Sequence, residues 1–454
     1  MKNVPVRALL LALIVSIPVH AKVSPDEAKR LLQPGGDLTP YGAEKAGNAA
    51  GTIPAWAGGL TTSPPCYKGD GTRLCDPFPE DQPKFVITAA DVEKYKDNLS
   101  EGQLAMFKKY PKTWKMPVFE TRRTFTVRDL AYKATYQNAL KAELGGDGES
   151  LNNAITGVPF PLPKSGKELM WNHKLRYRGT GGSRWNVQAA VTATGDYNLV
   201  KITEEAKLAY GADGIKPSDL NNVSIYFLQI VRDPPRLAGT ITLVHETMDQ
   251  VTEPRRAWQY NPGQRRLRRA PNVGYDNPGT GSDGLRTNDQ FDGFNGAMDR
   301  YTWKIVGKKE MYVPYNAYAV HSDKLKYRDI LKPGHVNQDL TRYELHRVWV
   351  LDSVTKPNTT HIYKRRVFYI DEDSWQIVLV DCYDRRDQLW RWQEGHPVQV
   401  YDKPYFGTVM ETVYDMQGSR YIVFSMNNEE PESVEKDFDI EYFNPANVSK
   451  KSTK

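Results

Sequence analysis

The stretch RRAWQYNPGQRRLRRAP, Arg255 to Pro271, decides the fold class, because it joins a hairpin signal to a high density of fixed positive charge. Trp258 and Tyr260 alternate with Ala257 and Gln259, which is the spacing of a strand with two different faces. Asn261-Pro262-Gly263-Gln264 suits a type II turn, and Arg265 to Arg269 returns. On the return strand Leu267 shares a face with Arg265 and Arg269, while Arg266 and Arg268 take the other. One arginine pair therefore faces whatever the sheet encloses or presents. A solvated cationic edge strand that resists aggregation fits the same residues, and the sequence leaves both readings open.

The same grammar recurs on both sides. Asn186 to Thr192 and Tyr197 to Thr203 flank the turn Ala193-Thr194-Gly195-Asp196, and Ser224 to Arg232 and Gly239 to Met248 flank the rigid Asp233-Pro234-Pro235. Downstream, Glu344 to Asp352, His361 to Ile370, Trp375 to Tyr383, Gln388 to Gln393, Thr408 to Tyr414 and Tyr421 to Met426 read as successive strands. The chain from 166 to 454 is thus expected to be mainly β, a large curved antiparallel sheet, with Glu168 to Arg178 a helix or an edge strand. Residues 22–165 read as a helical and loop-rich extension. Its expected elements are helices at Ser24 to Leu32, Thr88 to Lys109 and Asp129 to Ala142, and a strand at Val118 to Arg128. Between the first two helices, Gly35 to Asp81 is an extended arm rich in glycine, proline and threonine that must lie on a neighbouring surface.

The first residues indicate export. Lys2 and Arg7 supply a basic region, Ala8 to Ile17 an apolar run too short for a comfortable span, and Val19-His20-Ala21 a small-x-small cleavage site, so residues 1–21 read as a signal peptide. No later stretch is long and apolar enough to span a membrane. An oxidising compartment would let Cys66 and Cys75 pair across their short loop, leaving Cys382 in a strand. Without Lys2 and Arg7 the net charge falls from +6 to +4, too small an excess for a nucleic-acid partner.

Catalytic motifs are absent. The chain has no HExxH, GxSxG, P-loop or dinucleotide fingerprint, and His245-Glu246 lacks a second histidine four positions after the first. Asp371 and Asp373 sit where a hairpin turn explains them. Asn272 to Gly296, rich in glycine and aspartate, reads as a lid, a binding loop or a mobile surface loop. Its carboxylates Asp276, Asp283, Asp289 and Asp292 lack the spacing of a calcium loop. The expectation is a protein that is not an enzyme and carries no cofactor and no metal. A lipid or glycan hydrolase assembled from residues distant in sequence stands as an alternative.

The YGAEKAGNAAGTIPAWAGG segment, the AWQYNPGQRRLRRAP hairpin, its FDGFNGAMDRYTWKIVGKKEMYVPYNAY continuation, and the ELHRVWVLDSV and KRRVFYIDEDSWQIVLVDCYDRRDQLWRW strands together resemble domain-of-unknown-function family 1329. Its members are exported proteins of Gram-negative bacteria, and the family looks like a relative of the periplasmic lipoprotein carriers LolA and LolB. The resemblance implies an incomplete antiparallel barrel, helices covering its mouth, and a cavity for acyl chains. It leads to the expectation of a soluble periplasmic binding or carrier protein for a lipid or other amphipathic molecule, exchanging cargo with an envelope transporter or the outer membrane. Arg265, Arg266, Arg268 and Arg269 are the candidate head-group contacts, since guanidinium forks match phosphate and carboxylate. Trp258, Tyr260, Trp303, Trp349 and Trp390 are candidate walls, although the same rings serve equally as core. The other reading is an envelope interaction protein that docks an acidic partner through the cationic hairpin.

Overall fold

A computed structural model describes residues 23–146, 148–270 and 275–451, with side chains described as far as Val448. The signal-peptide reading at 1–21 lies outside these residues. The N-terminal part carries α1 (Pro25–Ala28), β1 (Phe85–Ile87), α2 (Glu101–Lys109), β2 (Met116–Val118), α3 (Asp129–Lys141), a ribbon of β3 (Glu143–Gly145) and β4 (Ser150–Asn152), and α4 (Gly166–Leu175). Six strands follow: β5 (Gly181–Val191), β6 (Tyr197–Lys207), β7 (Val223–Asp233), β8 (Ile241–Thr247), β9 (Arg256–Asn261) and β10 (Arg266–Arg269). The remainder contains β11 (Tyr301–Pro314), α5 (Tyr327–Ile330), β12 (Tyr343–Thr355), β13 (Arg365–Asp371), β14 (Ile377–Tyr383), β15 (Leu389–Val400), β16 (Tyr405–Asp415), β17 (Tyr421–Met426), β18 (Val434–Glu435) and α6 (Pro445–Lys451).

All but β3 and β4 join one sheet, in the order β1-β2-β12-β13-β14-β15-β16-β17-β5-β6-β7-β8-β9-β10, with β11 on β12 and β18 on β5. Its pairs are antiparallel apart from a single parallel contact of Tyr343 with Val118. The sheet does not close, because among the described residues β10 pairs only with β9 and β11 only with β12. Strand alternation fixes its two faces. In β7, Tyr226, Leu228 and Ile230 are buried while Ile225, Phe227 and Gln229 are half-exposed. Each buried side chain contributes about 1.5–3 kcal/mol, and a one-residue slip would turn the whole set outward, so the register is strongly specified. The C-terminal segment covers this buried face: Phe443 lies 5.9 Å from Tyr226, and the Phe443 carbonyl is 2.9 Å from His245 Nε2.

The central hairpin pairs as its alternation implies, Leu267 opposite Tyr260 and Arg269 opposite Trp258. Its turn differs from type II. Gly263 is not left-handed; Arg265 is, with φ 50°, and the Asn261 side chain accepts from the Gly263 and Gln264 amides. An Asx turn thus supplies the reversal that the Pro-Gly pair had suggested. The expected helix from Thr88 to Lys109 is reduced to α2 preceded by 3-10 turns at Val92–Lys94 and Lys96–Asn98, because Ser100 caps a fresh start by accepting from the Gln103 amide. The strand expected at Val118 to Arg128 ends at Val118. Beyond it the chain stays extended and bonds through side chains, such as Gln399 to the Thr126 amide. Glu168 to Arg178 resolves as helix α4 and its end. Tyr41, Leu74, Trp114 and Phe125 of the N-terminal region share one buried core with the sheet.

Candidate functional site

A cavity of about 600 Å³ opens on one face of β5 to β9 and is also lined by β16. Strands several places apart in the sheet line one space, so the sheet bends around it. Cross-strand pairing arranges the floor in rows. Arg184, Glu204, Gln229, Thr242 and Gln259 form a polar row, and Gly182, Ala206, Phe227 and Val244 an apolar one beside it. Tyr405, Gly407, Val409 and Glu411 of β16 form the opposite wall.

The roof is the glycine- and aspartate-rich loop. Its carboxylates are spent on basic side chains from other parts of the chain: Asp276 on Arg300, Asp283 on Arg420, Asp289 on His361 and Arg366, and Asp292 on Arg176 and Arg178. These pairs hold the loop in place, with Asn277, Pro278, Thr280, Arg286, Phe291 and Asp292 facing the cavity. Burial pushes the Asp292 carboxyl up, but Arg176 and Arg178 outweigh it and hold the group below the ordinary carboxylate range. Glu411 moves the other way: burial, then the nearby Asp292, push it up to about 8, against amide donation from Gly293 and Asp292 at 3.0 and 3.1 Å.

Arg286 differs from the other arginines of the cavity. It is 5% exposed, yet among the described residues its guanidinium makes only two long hydrogen bonds, to the Thr287 carbonyl at 3.5 Å and Gln188 Oε1 at 3.4 Å, and Nε has no partner there. It lies 4.9 Å above the Phe424 ring and against Gly279, where an added Cβ would stand 2.5 Å from Nη1. Burial lowers its pKa. Thr408 Oγ1, Ser425 Oγ and Asp402 Oδ1 on the lining are likewise buried without a hydrogen-bond partner among the described residues.

A strap closes one side. Cys66 and Cys75 form a disulfide, and Tyr67, Gly71, Thr72 and Leu74 of the loop it bounds line the cavity. Arg73 anchors the strap by donating to the Asn427 and Glu430 carbonyls at 2.9 and 3.1 Å and pairing with Glu432 at 3.0 Å. Tyr67 donates to Asp402 at 2.6 Å. Away from the cavity, His346, Asp371 and Asp373 bring three potential ligand atoms within 4.8 Å of one another, but Asp373 is already clasped by Arg123.

None of the residues selected from sequence as head-group contacts or walls lines this cavity. Arg265, Arg266, Arg268 and Arg269 are exposed, with Arg268 directly opposite Gln259 and so one strand beyond the polar row. Trp258 packs on His245 and Arg269, and Tyr260 is buried. Trp303 packs on Phe294 and Phe368, Trp349 on Trp375 and Lys308, and Trp390 on Tyr363 and Arg391. Arg176, Arg178, Arg184 and Arg286 were missed because they come from separate parts of the chain and form no cationic run. The signal that could have found Arg286 is a lone cation in a loop otherwise rich in aspartate.

The family model described as protein of unknown function (DUF1329) matches residues 86–449. The chain belongs to this family. The DUF1329 match takes in the hairpin and strand segments on which the sequence resemblance rests. An uncharacterized protein of Pseudomonas aeruginosa is 50% identical over 422 residues, spanning 93% of this chain and 92% of that protein. Among solved structures, a putative outer membrane lipoprotein-sorting protein domain from Vibrio parahaemolyticus is 14% identical, covering 62% of this chain and 97% of its own, with a TM-score of 0.43. A DUF1329 family protein from Desulfovibrio piger is 15% identical over 60% of this chain and 92% of its own, with a TM-score of 0.40. A LolA superfamily protein from Nitrosomonas europaea is 8% identical over 62% and 98%, with a TM-score of 0.38. Among the described residues of this DUF1329 chain, no helix is long and apolar enough to cross a membrane.

Proposed function

We propose that this protein is a periplasmic binding or carrier protein that reversibly sequesters an amphipathic molecule in the cavity between β5 to β9, β16 and the aspartate-rich loop. The observation that carries this reading is the lining itself, in which an apolar row of Ala206, Phe227 and Val244 runs beside a polar row that begins at Arg184 and Glu204. A volume of about 600 Å³ lies within the range of small-molecule sites, roughly 300–1,000 Å³, so it suits a single chain or ring system. Release would be to an envelope transporter or the outer membrane. The test is displacement of the neutral fluorophore N-phenyl-1-naphthylamine from the mature chain by single-chain amphiphiles. Saturable displacement supports the reading, and no uptake of fluorophore or amphiphile removes it.

A second reading follows from the hairpin. Arg265, Arg266, Arg268 and Arg269 project from the open edge of the sheet, and none of them makes an ion pair among the described residues. An acidic protein surface of the envelope would complement them, with strong salt dependence. Retention of an acidic envelope protein at low salt, lost on Arg266→Ser with Arg268→Ser, is the expected result. Retention unaltered by that double variant would contradict it.

A further inference from the structure

We infer that Arg286 anchors a subsite for one negatively charged head group, a carboxylate, beneath the loop that roofs the cavity. The inference rests on the carrier reading above and names the chemical class of its ligand. Five guanidiniums line the cavity, those of Arg176, Arg178, Arg184, Arg255 and Arg286, and Arg255 takes Glu246 at 2.5 Å. Glu204 takes Arg184 at 2.7 Å, and Asp292 takes Arg176 and Arg178 at 2.6 and 2.8 Å. Glu411 is held by the Asp292 and Gly293 amides and by Gln393 Nε2 at 3.1 Å, so its oxygens are directed to the loop backbone and not to Arg286. Arg286 is the lining arginine with no carboxylate partner among the described residues.

A guanidinium that is almost wholly buried and has no charged partner among the described residues is costly. Gly279 leaves room for the flat face of the group, and the Phe424 ring supports the other side. Among the described residues Nε remains unbonded, and the only acceptors, Gln188 Oε1 and the Thr287 carbonyl, are neutral and at the limit of hydrogen-bond reach. A carboxylate fits this guanidinium in charge and shape, because its two oxygens match the fork. Phe291 lies 6.3 Å from both Phe424 and Phe227 and carries the apolar surface from this point to the Ala206, Phe227 and Val244 row. A ligand with its carboxylate at Arg286 can therefore lay its apolar part along that row. A second negative charge would meet Glu204, which acts on Arg286 electrostatically from nearby, so the site selects a single charge.

The test compares head groups on one chain length. Dodecanoate, dodecanol and dodecyl phosphate compete with N-phenyl-1-naphthylamine for the intact mature protein. The inference expects dodecanoate to bind about tenfold or more tighter than dodecanol. Arg286→Gln then removes that advantage and leaves dodecanol unchanged, while Arg286→Lys, which keeps the charge and loses the fork, retains part of it. Equal binding of dodecanoate and dodecanol by the unaltered protein overturns the subsite while the amphiphile reading stands, whatever the fate of the variants. Preference for dodecyl phosphate overturns the assignment to a single charge. Failure of the fluorophore and all three amphiphiles to bind overturns the carrier reading and the subsite together.

Discussion

Arg176 donates through one nitrogen to both oxygens of Asp292, at 2.6 and 2.8 Å, and so ties the end of helix α4 to the loop that roofs the cavity. Arg178 adds a third bond to the same carboxylate at 2.8 Å. Removing the acid leaves two guanidiniums without their partner. We expect Asp292→Ala to cost about 3–5 kcal/mol in urea unfolding, the range for one side of a buried pair. A cost below about 1 kcal/mol would show that the loop is held in place by its other contacts.

The strap should be separable from the fold. Its disulfide closes a loop of sequence separation 9, for which chain entropy gives about 2–3 kcal/mol. Cys66→Ser with Cys75→Ser is expected to lower stability by no more than this and to raise hydrogen exchange between residues 66 and 75. Because Tyr67, Gly71, Thr72 and Leu74 line the cavity, bound amphiphile should also leave faster. Unchanged exchange and release would mean that non-covalent contacts, such as those of Arg73, Tyr67, Asp70 with Lys403, and the Cys75 amide with Tyr401, hold the strap without the disulfide.

Binding of an anion should depend on pH through Glu411. Its carboxyl titrates at about 8 and faces Asp292, Arg184 and the loop amides, with Glu204, Arg176, Arg178 and Arg286 on the adjoining lining. Below that pH it is neutral; above it, a new negative charge opposes an anionic head. Dodecanoate affinity is therefore expected to fall as pH rises through about 8, with dodecanol unaffected and Glu411→Gln flattening the profile. A fall of the same size in Glu411→Gln would assign the effect to another group.

The hairpin arginines should act independently of the cavity. Arg266 and Arg268 are exposed, so Arg266→Ser with Arg268→Ser is expected to shift stability by no more than about 0.5 kcal/mol. Dodecanoate affinity should stay within about twofold, since neither residue lines the cavity. A tenfold loss would return these residues to the binding site.

Local signals carried most of the sheet. Alternation and turn residues located β5 to β10 and β12 to β17, because antiparallel hairpins are written in neighbouring residues. The cavity was harder to read. Its floor uses ordinary residues such as Ala206, Phe227 and Val244, whose role depends on which face of the strand bends inward. The conspicuous aromatics Trp303, Trp349 and Trp390 went into ring-on-ring packing. The aspartates of the loop lack a calcium-loop spacing and carry no local sign of what they bind, because their partners, Arg176, Arg178, His361, Arg366 and Arg420, lie tens of residues or more away in the chain. Pairing at such separation leaves no local pattern.

The most direct test of the account is native and lipid mass spectrometry on the mature chain, expressed in the periplasm and purified gently, beside the variant Ala206→Phe, which places a ring on the apolar row of the cavity floor. The expected result is a defined amphiphile, carboxylate-headed, released from the unaltered protein and absent from the folded variant. An empty protein that also takes up no added dodecanoate, or cargo retained equally by Ala206→Phe, would contradict it.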